Sequence, residues 1–307
     1  MKIFLSKINE SWIVDRLRKE WYENNRAIST NSLRNAKIIW IISPWTWKKI
    51  PKRHLISKIV ICTIHHIDFE KFNQEVESDF YERDRYVNVY HVFSDKSKQQ
   101  LQKLTNKKIR KIPYWVNQNI WFPISEKNEI RKEFSFELDD YLIGSFQRDT
   151  EGSDLVTPKL IKGPDIFLEL VTKLHKENNS LKVVLTGKRR NYLINNLNDR
   201  GIPIAYFEMV DFKTMNKLYN ILDLYLVTSR VEGGPQAILE CGLAKVPLIS
   251  TDVGLASEML HTESIFKLDS FSKAKPNVDY AYNNAIKYKI PDGMKPYINL
   301  FKEYDEN

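Results

Sequence analysis

Two glutamates, Glu232 and Glu240, lie in the segment SRVEGGPQAILECGLAKVPLISTDVG at positions 229–254, with Gly233, Gly234 and Pro235 between them. Paired glycines remove side chains where backbone must come close to something, and proline suits the first turn of a helix, where its missing N–H would have no helical partner anyway. A helix starting there turns unpaired N–H groups and a positive dipole end of roughly half a charge toward the glycine turn, a seat for phosphate. Glu232 then precedes the helix and Glu240 sits about a turn and a half inside it, so both carboxylates can face one crevice while doing different work. The competing account is structural, with one glutamate in a first turn and the other on a solvated helix face. The glycines beside them, directly after a strand, favour the ligand account.

This segment resembles the paired-glutamate motif of the retaining glycosyltransferases of family 4, and the resemblance extends over about residues 58–260, most strongly after Thr228. It implies that Glu232 lies near the transferred sugar and that Glu240 accepts hydrogen bonds from ribose hydroxyls. It also implies an arginine and a lysine on the donor pyrophosphate; residues 143–162 offer Arg148 and Lys162, with Lys159 as the alternative lysine. Lys162 follows Arg148 by fourteen positions, across the polar stretch DTEGSD, which departs from the family's spacing. These cations would offset charge growing on a leaving diphosphate, the task metal ions perform in other transferases. No cofactor and no metal is therefore expected, and the chain has no Asp-x-Asp.

Residues 59–68, IVICTIHHID, end an apolar run in two histidines. The family places a histidine at this strand end near the donor sugar; His65 matches it, with His66 as the alternative. Gly144, Gly187 and Gln236 complete the expected nucleotide seat around Gly233, Gly234 and Pro235. Residues 112–117, IPYWVN, are similar to the family's domain-crossing segment, with Trp115 where glycine is usual, and Ser6-Lys7-Ile8-Asn9-Glu10 stands in place of a glycine-rich first loop. The implied fold is GT-B: α/β, with two Rossmann-like α/β/α domains facing a central cleft. The implied reaction moves a sugar from a UDP- or GDP-linked donor to a glycan, lipid-linked or other hydroxyl acceptor. Two rivals share that architecture: a sugar-nucleotide epimerase, which would need no acceptor, and a non-catalytic glycan- or membrane-binding module, which would ignore nucleotides.

Positioning such residues takes strands that end in loops opening helices, and the pattern supplies them. Strands are predicted at 2–5, 37–42, 58–64 and 88–93, then at 141–144, 182–186, 222–227 and 247–250. Helices are predicted at 9–24, 95–104, 164–177, 192–199, 212–219 and 235–244. The organisation expected is an acceptor domain at 1–120, a nucleotide-sugar domain at 121–280 and closing helices at 281–307, broken at Pro291 and Pro296 and packing back on the first domain.

At 307 residues the chain is longer than one core prefers. All ten glycines lie at or after Gly144 and all seven tryptophans at or before Trp121, so the halves are built for different work. Residues 1–143 carry 26 Lys and Arg against 18 Asp and Glu, while 144–307 carry 21 against 21, so the whole positive excess is in the first half. Its clusters at Lys48-Lys49-Pro51-Lys52-Arg53, Arg83 with Arg85, and Lys107-Lys108-Arg110-Lys111 suggest peripheral contact with an anionic membrane or a charged acceptor. A DNA acceptor would also explain the charge, but no helix-turn-helix, zinc-ligand or ribonucleoprotein pattern accompanies it. No apolar run reaches the roughly 20 residues of a membrane span, and the N-terminus lacks the apolar core of a signal peptide, so a cytoplasmic protein is expected, peripheral at the inner face of the membrane. Cys62 and Cys241 each lie inside apolar segments and suit small core residues. Ser43-Pro44-Trp45-Thr46-Trp47 offers indole faces either to a sugar or to the core.

Overall fold

The computed structural model describes residues 1–7 and 13–306. The chain forms two compact units: Met1–Trp115 with Ile290–Asn307, and Val116–Lys289. The passage between them therefore falls at Trp115, five residues before the expected boundary. The C-terminal stretch is not a separate unit but is divided between the two.

The first unit is a five-stranded parallel sheet in the order β1 (Ile3–Leu5), β2 (Ile38–Ile41), β3 (Ile59–Thr63), β4 (Val89–Val92), β5 (Lys108–Lys111). Between the strands run α1 (Ile13–Asn24), α2 (Lys52–Ser57), α3 (Gln74–Asp84) and α4 (Asp95–Leu101), the last capped by Ser94, whose Oγ accepts from Ser97 N at 3.2 Å. The predicted start of the first helix at Asn9, and the loop residues Ile8, Asn9 and Glu10, lie outside the described residues. β5 is not apparent in the sequence because KIRK reads as a charge cluster. It is an edge strand, where lysines keep a sheet from pairing further.

One face of this sheet buries Ile39, Ile41, Val60, Cys62, Tyr90 and Val92 against Trp47, Leu55 and Phe80. Three of the tryptophans, Trp21, Trp40 and Trp115, meet in one cluster, in which the ring of Trp40 lies 5.4 Å from Trp21, 6.3 Å from Trp115, and 5.3 and 5.2 Å from Tyr297 and Phe301. Tyr297 and Phe301 belong to the final helix, Lys295–Asp305; Pro296 occupies its first turn and does not break it. His91, 1% exposed, is held beside this cluster between Thr63 Oγ1 (2.9 Å) and Ile112 O (2.8 Å). Burial pushes its imidazole down from 6.5 to about 3. The folded protein thus keeps His91 neutral where an unfolded chain would protonate it. Stability is complete above about pH 6.5 and declines on acidification toward pH 3, by about 2 kcal/mol at pH 5. His91→Gln should flatten the fall in melting temperature between about pH 7.5 and about pH 5 by several degrees.

The second unit begins with α5 (Lys127–Glu133) and then alternates β6 (Tyr141–Ser145), α6 (Pro164–Glu177), β7 (Leu181–Thr186), α7 (Asn191–Asp199), β8 (Ile204–Phe207), α8 (Phe212–Ile221), β9 (Leu224–Val227), α9 (Gln236–Ala244), β10 (Leu248–Thr251), α10 (Ala256–Met259), β11 (Ile265–Phe266) and α11 (Val278–Ala285). Its strands are parallel in the order β11-β10-β9-β6-β7-β8. β8 and β11, the two edges, were not predicted; both are short and the second has two residues. Chain order reverses between β6 and β9, which are hydrogen-bonded neighbours. Loops leaving the carboxyl ends of strands diverge at such a switch point, and open α/β sheets bind ligands in the crevice this leaves.

Candidate functional site

The loops that leave β6 and β9 carry most of the residues singled out in the sequence. After β6 the chain makes an excursion whose base is closed: Thr150 pairs with Pro158 in antiparallel fashion and Lys159 N donates to Asp149 O at 2.8 Å. The unusual spacing between Arg148 and Lys162 is thus taken up as a self-closing loop. It returns through Gly163, whose φ of +62° is left-handed and which leads directly into α6. A Cβ at Gly163 would lie 1.9 Å from Thr228 O, so glycine is required on two counts. Gly163→Ala should cost about 3 kcal/mol or more, read as a lowered denaturant midpoint with an unchanged slope.

The two loops are laced together. Arg230 N and Val231 N both donate to Ile161 O, at 2.8 and 3.1 Å, and Thr228 Oγ1 donates to Gly163 O at 2.8 Å. Arg230 grips Asp165 at the start of α6 with two bonds of 2.7 and 2.6 Å, and this guanidinium holds the Asp165 carboxyl below the usual range. On the other side Gly254, with φ +52°, leaves room for the Gly233 carbonyl, which a Cβ would approach to 2.6 Å. Pro235 caps α9 and Gln236 begins it.

Within this frame Lys162 Nζ donates to Glu232 Oε1 at 2.5 Å, with only 18% and 13% of the two side chains exposed. Ser229 Oγ donates to the same oxygen at 3.0 Å, and Gln147 Nε2 donates to Lys162 O at 3.0 Å. Two residues remote in the sequence thus form one polar centre beside the N-terminus of α9. Glu240 is 5% exposed and accepts from Tyr219 OH at 3.0 Å. It lies against an aromatic group in which Tyr219 is 4.7 Å from Phe146 and 5.3 Å from Tyr225. It is not the solvated helix residue of the structural account.

Other expected residues take different places. Arg148 is half-buried, and its neighbour Asp149 is committed elsewhere, accepting from Arg190 Nε at 3.0 Å. Gly144 lies inside β6, where a Cβ would meet Leu222 Cδ1 at 2.3 Å; core packing explains this glycine. Gly187 has φ +88° and open space around it, and its carbonyl accepts from Tyr206 OH at 2.9 Å.

His65 belongs to the first unit and is half-buried just beyond β3. Its Nε2 lies 2.8 Å from Ile42 O, a carbonyl that can only accept, so Nε2 carries hydrogen, and Nδ1 is hydrogen-bonded with Tyr114 OH at 2.8 Å. Both ring nitrogens are occupied, which fits a residue that fixes its surroundings better than one presenting nitrogen to a sugar. The cationic clusters of this unit are also largely committed. Lys48 and Arg83 pair with Asp79, Lys52 with Glu82, Lys108 and Arg110 with Glu303, and Lys111 with Asp95. Such exposed pairs stabilise little, and they leave the positive excess of the first half, 26 Lys and Arg against 18 Asp and Glu over residues 1–143, unchanged. Among the described residues no helix is long and apolar enough to cross a membrane.

Sequence reading missed Gln147, Ser229, Arg230 and Asp165, each within three residues of one it named, so extending the search along each loop would have found them. Tyr219 and Tyr225 gave no such signal, because only packing brings them to Glu240.

Residues 157–281 match the family model of the glycosyl transferases group 1, a span that contains Lys162, Glu232 and Glu240. No curated protein sequence matches the chain. Similar solved structures include HepE of Anabaena in complex with UDP and glucose, 12% identical, with a TM-score of 0.76 over 99% of this chain and 100% of that one. Sucrose-phosphate synthase of Thermosynechococcus elongatus is 12% identical, with a TM-score of 0.71 over 98% of this chain and 81% of that one. A glycosyltransferase of Rickettsia africae is 15% identical, with a TM-score of 0.65 over 98% and 84%. At such identities the likeness concerns fold, and the two parallel α/β units have the GT-B fold.

Proposed function

We propose that this protein is a retaining glycosyltransferase of the family 4 type, taking a sugar from a UDP- or GDP-linked donor to a hydroxyl on a glycan or lipid-linked acceptor. The observation that carries the reading is the Lys162–Glu232 pair at the switch point, set beside the N-terminus of α9. Backbone N–H groups after the glycine turn, Lys162 and Arg148 take the diphosphate; Glu232 orients the sugar; Glu240 takes the ribose. The bond from the anomeric carbon to the diphosphate oxygen breaks as the acceptor oxygen bonds to that carbon on the same face. The acceptor's proton passes to the departing phosphate oxygen. His65 has a positioning role, through Ile42 and Tyr114.

The match over residues 157–281 supports this reading, as do structural relatives solved with UDP and with UDP-glucose. Thermal shift with a panel of nucleoside diphosphates tests it directly, because a ligand bound by the native state raises the melting temperature. UDP or GDP should raise it by several degrees, and no response to any nucleotide would overturn the proposal. Because the phosphates are assigned to cationic side chains and backbone N–H groups, transfer should also persist at full rate in excess EDTA.

A further inference from the structure

We propose that Trp45 is a stacking platform for a pyranose ring of the acceptor, an inference that rests on the transferase reading above. Trp45 is 51% exposed on the turn Pro44–Lys49, which leaves the carboxyl end of β2. That edge of a parallel sheet is where ligands gather. The turn is held from both sides of Trp45. Thr46, fully buried, places Oγ1 2.7 Å from Ser43 O and 2.9 Å from Ser6 Oγ, and the buried Trp47 donates Nε1 to Asp79 at 3.1 Å.

The indole is also backed. Its ring lies 5.7 Å from that of His65, which is fixed at both nitrogens and lies 5.4 Å from Phe93, itself stacked on Tyr114 at 3.5 Å. Neighbouring tryptophans, Trp40 and Trp47, are each 2% exposed, so the local core had the capacity to bury indole. Leaving this one half in water forgoes apolar burial, at about 25 cal/mol per Å². With the turn held by Thr46 and Trp47 and the ring backed by His65, less freedom is lost when something settles on it than on an indole of a loose loop. The electron-rich face of an indole suits the polarised C–H groups on the apolar face of a sugar ring. This assigns the acceptor to the glycans, recognised at a rigid aromatic surface.

The test uses full-length protein labelled with 5-fluorotryptophan, in which the fluorine resonance missing from Trp45→Phe identifies Trp45. Maltotriose, cellotriose and triacetylchitotriose serve as probes, alongside vesicles of phosphatidylglycerol. At least one sugar should shift the Trp45 resonance saturably. Trp45→Ala should weaken that sugar tenfold or more, Trp45→Tyr less than threefold, and both should leave the thermal shift produced by UDP or GDP unchanged. A Trp45 resonance unmoved by all three sugars, or moved only by vesicles, overturns the platform. If nucleotides shift the melting temperature in that case, the transferase reading survives; if they do not, both fall.

Discussion

Lys162→Ala is expected to lower sugar transfer by about 10²–10³-fold, the scale on which removing one pre-positioned charge from a site of growing negative charge is felt. The two members of the pair should fail differently. Lys162 is assigned to the diphosphate, so its loss weakens UDP or GDP binding as well as turnover. Glu232 is assigned to the sugar, so Glu232→Gln should slow transfer comparably while nucleotide affinity changes less than threefold. Because the pair is only 2.5 Å long and mostly buried, each variant leaves one ionic group without its partner. Circular dichroism and calorimetry must therefore accompany the kinetics. Transfer at the native rate in either folded variant would remove the site assignment.

Asp149→Ala should cost about 3–5 kcal/mol of stability. Asp149 is 2% exposed and Arg190 fully buried, and the guanidinium also reaches Ser145 O at 2.5 Å and Thr186 O at 3.0 Å. Arg190 thereby ties the carboxyl ends of β6 and β7 to the base of the excursion that precedes Lys162. Truncating Asp149 leaves the Arg190 cation buried without a counter-charge, among neutral acceptors: Ser145 O, Ser145 Oγ and Thr186 O. The paired change Asp149→Leu with Arg190→Met removes both charges and should recover at least half of the loss in denaturant unfolding. If the double variant is no more stable than Asp149→Ala, the ionic pairing is not what the site requires.

The sequence alone determined what short-range backbone chemistry dictates. Gly-Gly-Pro after an apolar run fixed a strand, a turn and a helix start where β9 and α9 lie, and alternating segments fixed two α/β units. The entry to α6 was legible because a proline opens it, and Lys162 beside it was singled out by the family resemblance. What depended on the order of strands was decided only in three dimensions. That β6 lies beside β9, and so brings Lys162 to Glu232 across 70 residues, follows from how the sheet assembles and leaves no local trace. The same holds for Glu240 meeting Tyr219, for His65 spending both nitrogens on Ile42 and Tyr114, and for the lysines that look free in a list of charges yet face carboxylates on α3 and the final helix. Local preferences act through neighbouring dihedrals and can be read residue by residue. Pairing between distant side chains is set by which elements pack together, and that choice belongs to the whole chain.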